Sequence, residues 1–514
     1  MNIVIIILMG LTLLTRLVGV GREIFLAYFY GATAISDAYL MSIAIPTIIV
    51  TFIVTSLATS FIPIYQKSIT NEKAQQQLTG KVMGIILMIS VVIFIFSITF
   101  TRQIVILFAS GFDLDAIELT VRFTRITLFA VVFMAMNQLL HAYLQVKEKV
   151  LLASLSGLPF NLVAITFIVL SFYTNHYLLP IGTVFALGLQ WLYLLILAKR
   201  QHFKLRPRIR LADTQLKQLL VLALPMILAS GVEQIGLVVD KNIASRFGPG
   251  AVSSLVYASR VITAFSGIIV TSVLVVTFPK IAKLQAPEAR KEMKDSLAQS
   301  IIIMSLFIVP VIAAVLVFSV PVISLLFGRG AFDIEAVMVT ASLLFFNIFF
   351  LFGNGLTQLV SRVFFALEDA MTPMVVAAST IGVNIVLNIM LTMVMGLAGL
   401  ALATSISALL GLFVLFYLLR RKIGSLRLRS TLISLGKIVG AAVPMAVGAY
   451  FAYRAMVMFH DVLALLVAAL VGMVIYGIVL LVLRIREVED IVVFLINYLR
   501  KIISKQTGGK SDGL

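Results

Sequence analysis

The chain has 514 residues, 61% of them hydrophobic and 12% charged, with a mean hydropathy of +1.12. A soluble core has no use for that much apolar surface, and the apolar runs are continuous rather than alternating in ten-residue pieces, which excludes a β-barrel. A net charge of +18 would raise nucleic acid as a partner of a soluble protein, but here most Lys and Arg lie in short connections between apolar runs, where topology and anionic lipid head groups account for them.

There are no Cys residues, so disulfides, thiolate metal sites and Cys nucleophiles are absent. The opening "MNIVIIILMG" has no basic n-region and no small-residue cleavage site, and reads as a retained first helix. Apolar runs between polar breaks predict fourteen helices, near 2–30, 34–66, 80–108, 117–146, 150–173, 177–200, 216–245, 251–283, 296–327, 333–365, 371–395, 397–422, 432–457 and 460–484. The fold class is therefore an all-α polytopic membrane protein. Dense basic connections follow the sixth, eighth and twelfth helices ("AKRQHFKLRPRIRLADTQLK", "PKIAKLQAPEARKEMK", "RRKIGSLRLR"), whereas odd-numbered connections such as "FYTNHY" and "MVMGLAG" are nearly uncharged. The even connections and both termini are thus expected in the cytoplasm. The tail over 484–505 has the apolar spacing of an amphipathic helix lying on the inner leaflet.

The chain repeats itself. "FYGATAISDAY" (29–39) is echoed by "RFGPGAVSSLVY" (246–257), "LFASGFDLDAIELT" (107–120) by "LFGRGAFDIEAVMVT" (326–340), and "NQLLHAYLQVKEK" (137–149) by "TQLVSRVFFALED" (357–369). An offset of six helices makes both copies enter the membrane from the same side, so the halves are parallel repeats related by an axis along the membrane normal. The expected organisation is a six-helix bundle over 1–200, a basic linker over 201–217, a second bundle over 218–425, two additional helices over 426–484, and a tail over 485–514. Two bundles facing one another are the architecture of alternating access.

Charges concentrate in the leading helices of each repeat. A charge at the centre of a spanning helix costs about 2.5–3.5 kcal/mol. Arg16 and Arg260 have no acid at i±3 or i±4; Arg22 is followed by Glu23, Asp37 opens the second helix, and the seventh carries Glu233, Asp240 and Lys241. Local ion pairing near a membrane face is the minority reading for Arg22–Glu23 and Asp240–Lys241. The two arginines without local acids point to an anionic substrate group, held as Arg holds phosphate; Arg122, Arg125 and Asp113 read as interfacial residues. Asn384 and Asn388 share a face of the eleventh helix and, with Asp240 and Thr404, form either a cation site or interhelical hydrogen bonds. His141, His176, His202 and His460 lack ligand spacing, and no GxxxxGK loop exists, so an enzyme or a direct ATP user is not indicated.

The opening "TRLVGVGREIFLAYFYGATAISDAYLMSIAIP" resembles that of the MurJ/MviN lipid II flippases of the multidrug/oligosaccharidyl-lipid/polysaccharide exporter superfamily. The pattern is carried by Thr15, Arg16, Gly19, Arg22, Glu23, Gly31 and Asp37, with "LFASGFD" and "YASRVITAF" as looser matches. The resemblance implies translocation of the lipid-linked peptidoglycan precursor across the bacterial cytoplasmic membrane, by a monomer with no organic cofactor. It assigns substrate binding to Thr15, Arg16, Arg22, Glu23, Asp37 and Arg260, and a sodium site to Asp240, Asn384, Asn388 and Thr404. Asn388 stands where the family has a carboxylate, which would weaken cation binding. "PTIIVTFIVTS" also has Val50 and Thr51 where the family carries helix-two arginines, which leaves another polyprenyl-linked glycan as an alternative cargo. A multidrug antiporter of the same superfamily would want buried carboxylates rather than arginines, and a non-transporting scaffold would leave Arg16 and Arg260 without a use.

Overall fold

The computed structural model describes residues 3–67, 72–207, 214–282, 290–425, 428–485 and 488, all helices and connections, with no strand among the described residues. Among the described residues, thirteen helices are long and apolar enough to cross a membrane. Preceded by α1 (Ile3–Tyr30), they are α2 (Ala34–Gln66), α3 (Ala74–Thr99), α4 (Leu114–Val146), α5 (Val150–Tyr173), α6 (Leu178–Arg200), α7 (Leu216–Phe247), α8 (Ala251–Thr277), α9 (Arg290–Phe327), α10 (Ile334–Ala366), α11 (Met371–Met395), α12 (Leu397–Ile423), α13 (Arg429–Met456) and α14 (Asp461–Val482). The order and placement match the sequence expectation. The expected third run to 108 is interrupted at Phe100, after which a short helix Thr101–Phe108 resumes. The amphipathic tail expected over 484–505 lies almost wholly outside the described residues.

Several helices contain prolines, and at Pro46 and Pro310 the carbonyl left without an intrahelical donor finds a hydroxyl from a neighbouring helix. Pro46 lies within α2, so the carbonyl of Ser42 loses its partner one turn back. Thr127 of α4 donates to that oxygen at 2.7 Å. Pro310 does the same to Leu306 of α9, and the Tyr476 hydroxyl of α14 donates to it at 3.1 Å. With no water in hydrocarbon to take up a bare carbonyl, such partners make an interior proline tolerable.

Repeat-equivalent positions share their local geometry. Asp113 caps the start of α4 by accepting from the Ala116 amide at 2.7 Å, and Asp333 caps α10 through Ala336 at 2.8 Å. The turn after each of these two helices places a glutamate in the left-handed region, Glu148 at φ 57° and Glu368 at φ 58°.

The contacts divide the chain into two compact units. One comprises residues 1–264, 326–346 and 377–407, and a core within it packs Phe61, Met83, Leu139 and Leu194. The other comprises 265–325, 347–376 and 408–514, in which α13 and α14 pack on α9 through Ile302, Leu306, Ala441, Met445 and Tyr476.

Candidate functional site

The charged residues of α1 and α8 meet inside the first unit. The Glu23 side chain is buried, and its Oε1 accepts from Arg22 Nη2 at 2.6 Å and lies 3.3 Å from Arg260 Nε. One carboxylate thus serves two guanidinium groups, from the first helix of one repeat and the second of the other, and the trio keeps one net positive charge. The Arg260 side chain remains 50% exposed, while that of Arg22 is 19% exposed and stacks 5.3 Å from the Phe160 ring. Tyr39 and Tyr257 stand within electrostatic reach of Glu23. The sequence reading of Arg260 as an arginine without an acid is corrected here, because its acid comes from a distant helix that local spacing cannot reveal.

Arg16 differs. It is half-buried and has no ion-pair or hydrogen-bond partner among the described residues. At a rise of about 1.5 Å per residue, Arg22 lies about 13 Å along α1 from the turn at Gly31, and Arg16 about 22 Å. Arg260 lies about 15 Å along α8 from the turn at Gly250. The paired arginines therefore share a level, with the unpaired one deeper. Thr15 sits against α5, where a Cβ on Gly157 would come within 2.5 Å of its methyl group.

Asp37 lies closer to the odd-numbered connections and is fully engaged. Its Oδ2 accepts from the Gly250 amide at 2.7 Å and its Oδ1 from the Ser253 amide at 2.6 Å. These are amides of the first turn of α8, which begins after a glycine and has no side-chain cap of its own, so a residue of α2 supplies the cap and complements the helix dipole. The same end is knit by glycines in the left-handed region. A Cβ on Gly250 would meet the Ala32 carbonyl at 2.3 Å, one on Gly31 the Ala331 carbonyl at 2.3 Å, and one on Gly330 the Tyr28 carbonyl at 2.3 Å. The Ala331 amide donates to that same Tyr28 oxygen at 2.8 Å. Nearby, Asn242 of α7 donates to the Leu107 carbonyl at 2.8 Å, and Ser245 accepts from the Gly111 amide at 3.0 Å. The connections after α1, α3, α7 and α9 are thus interlocked.

Asp240, Asn384 and Asn388 are brought together. Asn388 Nδ2 donates to Asp240 Oδ1 at 2.6 Å and to Asn384 Oδ1 at 3.1 Å. The Thr404 hydroxyl donates to the Leu400 carbonyl of its own helix at 3.0 Å. Lys241 is within electrostatic reach of Asp240, Asp37 and Arg260. A hard cation needs oxygen lone pairs, and an amide NH2 offers only hydrogens. With one carboxylate, a neighbouring ammonium and an amide nitrogen turned inward, these residues do not fit a sodium ion as they stand. Glu233 is exposed.

Where the resemblance led to arginine in α2, the helix instead loosens. Thr51–Thr55 forms a π-helical turn, Val50 is buried, and Ser230 of α7 donates to the Phe52 carbonyl at 3.2 Å. Gly231 makes room for the Phe52 ring, which a Cβ there would approach to 2.4 Å. Sequence reasoning missed Tyr39, Tyr257, Ser253, Gly250 and Gly330. The glycines and the two tyrosines carried a signal, through their recurrence in the echoed segments.

A family model described as "Lipid II flippase MurJ" matches residues 26–473. Among curated relatives, the chain is 27% identical to the "Probable lipid II flippase MurJ" of Rickettsia prowazekii (strain Madrid E), covering 80% of this chain and 82% of that protein. It is 28% identical to the "Lipid II flippase MurJ" of Burkholderia cenocepacia, again over 80% and 82%. Among solved structures it is similar to "Lipid II flippase MurJ, inward closed conformation", with a TM-score of 0.80 at 22% identity over 93% of this chain and 99% of that one. A multidrug resistance MATE family transporter of the MOP superfamily, in an inward-facing conformation, matches with a TM-score of 0.67 at 15% identity over 82% and 98%. At these identities the structural matches speak for the fold.

Proposed function

The chain belongs to the lipid II flippase MurJ family, and on that premise we propose that it moves lipid II from the inner to the outer leaflet by alternating access, with Arg16, Arg22 and Arg260 receiving the diphosphate. The protein is a transporter and not an enzyme. The observation that carries the binding proposal is the single Glu23 oxygen shared by Arg22 and Arg260.

A diphosphate is a stronger, multidentate acceptor than one carboxylate oxygen, and guanidinium groups suit it. Head-group binding at Arg16, which has no partner among the described residues, would bring phosphate oxygens toward the trio. Arg260, half exposed and held at 3.3 Å, is the weaker arm of Glu23 and the one a phosphate would capture. Losing that arm removes one tie between α1 and α8.

The basic connections after α6, α8 and α12 support a cytoplasmic even end. On that orientation the interlocked turns at Gly31, Gly111, Gly250 and Gly330 form an outer gate, latched by Asp37 on the first turn of α8. Head-group binding from the cytoplasmic side loosens the Glu23–Arg260 tie beneath the gate, and opening follows by rocking of the two repeats. The isoprenoid tail stays in lipid, against the apolar faces of α13 and α14, where Val443, Phe451, Leu466 and Met473 are exposed.

The experiment is replacement of the resident flippase in a bacterium depleted of it. The chain is expected to restore growth, with Arg16→Ala and Arg260→Ala inserted in the membrane but failing to do so. Failure of the unaltered chain would remove lipid II as the cargo. A second cargo, another undecaprenyl-linked glycan, is favoured by one observation: α2 offers Val50 and a π turn where the resemblance leads to arginine. Rescue of a strain lacking such a glycan's flippase separates the two. A cationic-drug antiporter is disfavoured because the one carboxylate of the α1–α8 trio is already occupied by two arginines.

A further inference from the structure

We propose that the side-chain amide of Asn388 does the work of a metal ion beside Asp240, bridging α7 and α11 without any alkali cation, and that Asn388 is the residue that makes this site cation-independent. The inference concerns these two helices alone and stands whatever the cargo.

The two hydrogens of the Asn388 amide are both committed, one to Asp240 Oδ1 at 2.6 Å and one to Asn384 Oδ1 at 3.1 Å. Those oxygens come from two helices, and a cation bound between Asp240 and Asn384 would draw on them. Asn388 is 0% exposed and Asn384 8%, which leaves little water to complete a coordination shell. A sodium ion entering here would displace a hydrogen-bond donor from a carboxylate and acquire no second negative charge in return. Lys241, next in sequence to Asp240, lies within its electrostatic reach.

Asn388 Oδ1 and Asn384 Nδ2 are buried and have no hydrogen-bond partner among the described residues. The Asn388 oxygen is therefore turned out of the group, which is the orientation a donor to Asp240 requires. A carboxylate at the same position would reverse the logic. In Asn388→Asp an oxygen replaces Nδ2 at hydrogen-bond distance from Asp240 Oδ1, and two like charges that close cannot both persist without a counter-ion. One amide thus separates a self-contained bridge from a cation site.

The test uses the purified full chain and sodium itself as the probe. Thermal unfolding is followed in NaCl and in choline chloride at equal ionic strength, for the wild type, Asn388→Asp and Asp240→Asn. The wild type is expected to melt at the same temperature in both salts. Asn388→Asp is expected to gain a sodium-specific rise of ~3 °C or more, the signature of a ligand that binds only the folded state. A sodium-specific rise in the wild type that Asp240→Asn abolishes would overturn the proposal, and so would an Asn388→Asp protein that responds to sodium no more than the wild type. Should Asn388→Asp fail to fold, sodium-23 line broadening by the wild type, compared with Asp240→Asn, decides the matter. Broadening lost on that substitution contradicts the proposal, and equal line widths for the two support it.

Discussion

Asp37 of α2 caps α8 and not its own helix: its two carboxylate oxygens accept from the backbone amides of Gly250 at 2.7 Å and Ser253 at 2.6 Å. A charged cap on a helix start is worth about 1–2 kcal/mol, more where water is excluded. Asp37→Asn keeps the shape but loses the charge and one of the two acceptor oxygens. The outer gate should open more often as a result. The chain has no cysteine, so a single Cys at Ser254, which is 1% exposed, reports on this cleanly. Thiol labelling at that position is expected to be about 5–10-fold faster in the Asp37→Asn background; an unchanged rate would show that the cap does not hold the gate.

Gly250 and Gly31 allow the turns of the two repeats to touch. Each has a positive φ, 86° and 61°, and in each case a Cβ would lie 2.3 Å from a carbonyl oxygen of the opposing turn. Alanine at either position combines backbone strain with a clash against rigid main chain, for about 1–3 kcal/mol. Gly248 also has a positive φ of 89°, but nothing lies within 4 Å of its Cβ position. Gly248→Ala is therefore the control for strain alone, and thermal melts should rank Gly250→Ala clearly below it.

Arg16 has no partner to lose among the described residues. Arg16→Ala should leave the melting temperature within about 1–2 °C of the wild type, because removing an unpaired charge from a membrane helix costs no interaction. Transport should fall at least ~10-fold, the equivalent of one charge-assisted contact with the diphosphate. Normal lipid II flux in vesicles bearing Arg16→Ala would end its assignment to the head-group site.

A pH-dependent contribution is expected in the second unit, at the turn between α10 and α11. Asp369 accepts from Lys422 Nζ and from the amide and hydroxyl of Thr372, and these donors hold its carboxyl down at about 2 against an ordinary 3.8. A depressed carboxyl contributes stability that is full above its unfolded value and lost as pH falls through the folded one. The melting temperature of the wild type should therefore drop more than that of Asp369→Asn between pH 4 and 2, the two curves running parallel above pH 5. Parallel curves throughout would mean that the Lys422 contact adds nothing, as exposed pairs often do.

The helices were legible because each is a long apolar run between polar breaks. The repeat was legible because its echoes fall on turn residues, where Asp113 and Asp333, or Glu148 and Glu368, do equivalent jobs. Arg16, read as having no acid at i±3 or i±4, also has no partner among the described residues. Arg260, read the same way, does have one, because Glu23 reaches it from another helix. Asp37 looked like part of a charged chamber, and nothing local in α2 announces that a bare helix start in the other repeat needs its carboxylate. Pro46 and Thr127 make the same point: the proline is visible in the sequence, while the hydroxyl that answers its freed carbonyl is a product of the fold.

The most direct test is the affinity of the purified protein for an undecaprenyl-diphosphate lipid in Glu23→Gln compared with the wild type. If the diphosphate and Glu23 compete for Arg22 and Arg260, removing the carboxylate's charge frees both guanidinium groups, and binding should tighten about 10-fold, the worth of one charge-assisted hydrogen bond. Equal or weaker binding by Glu23→Gln would contradict the competition on which the proposed cycle depends.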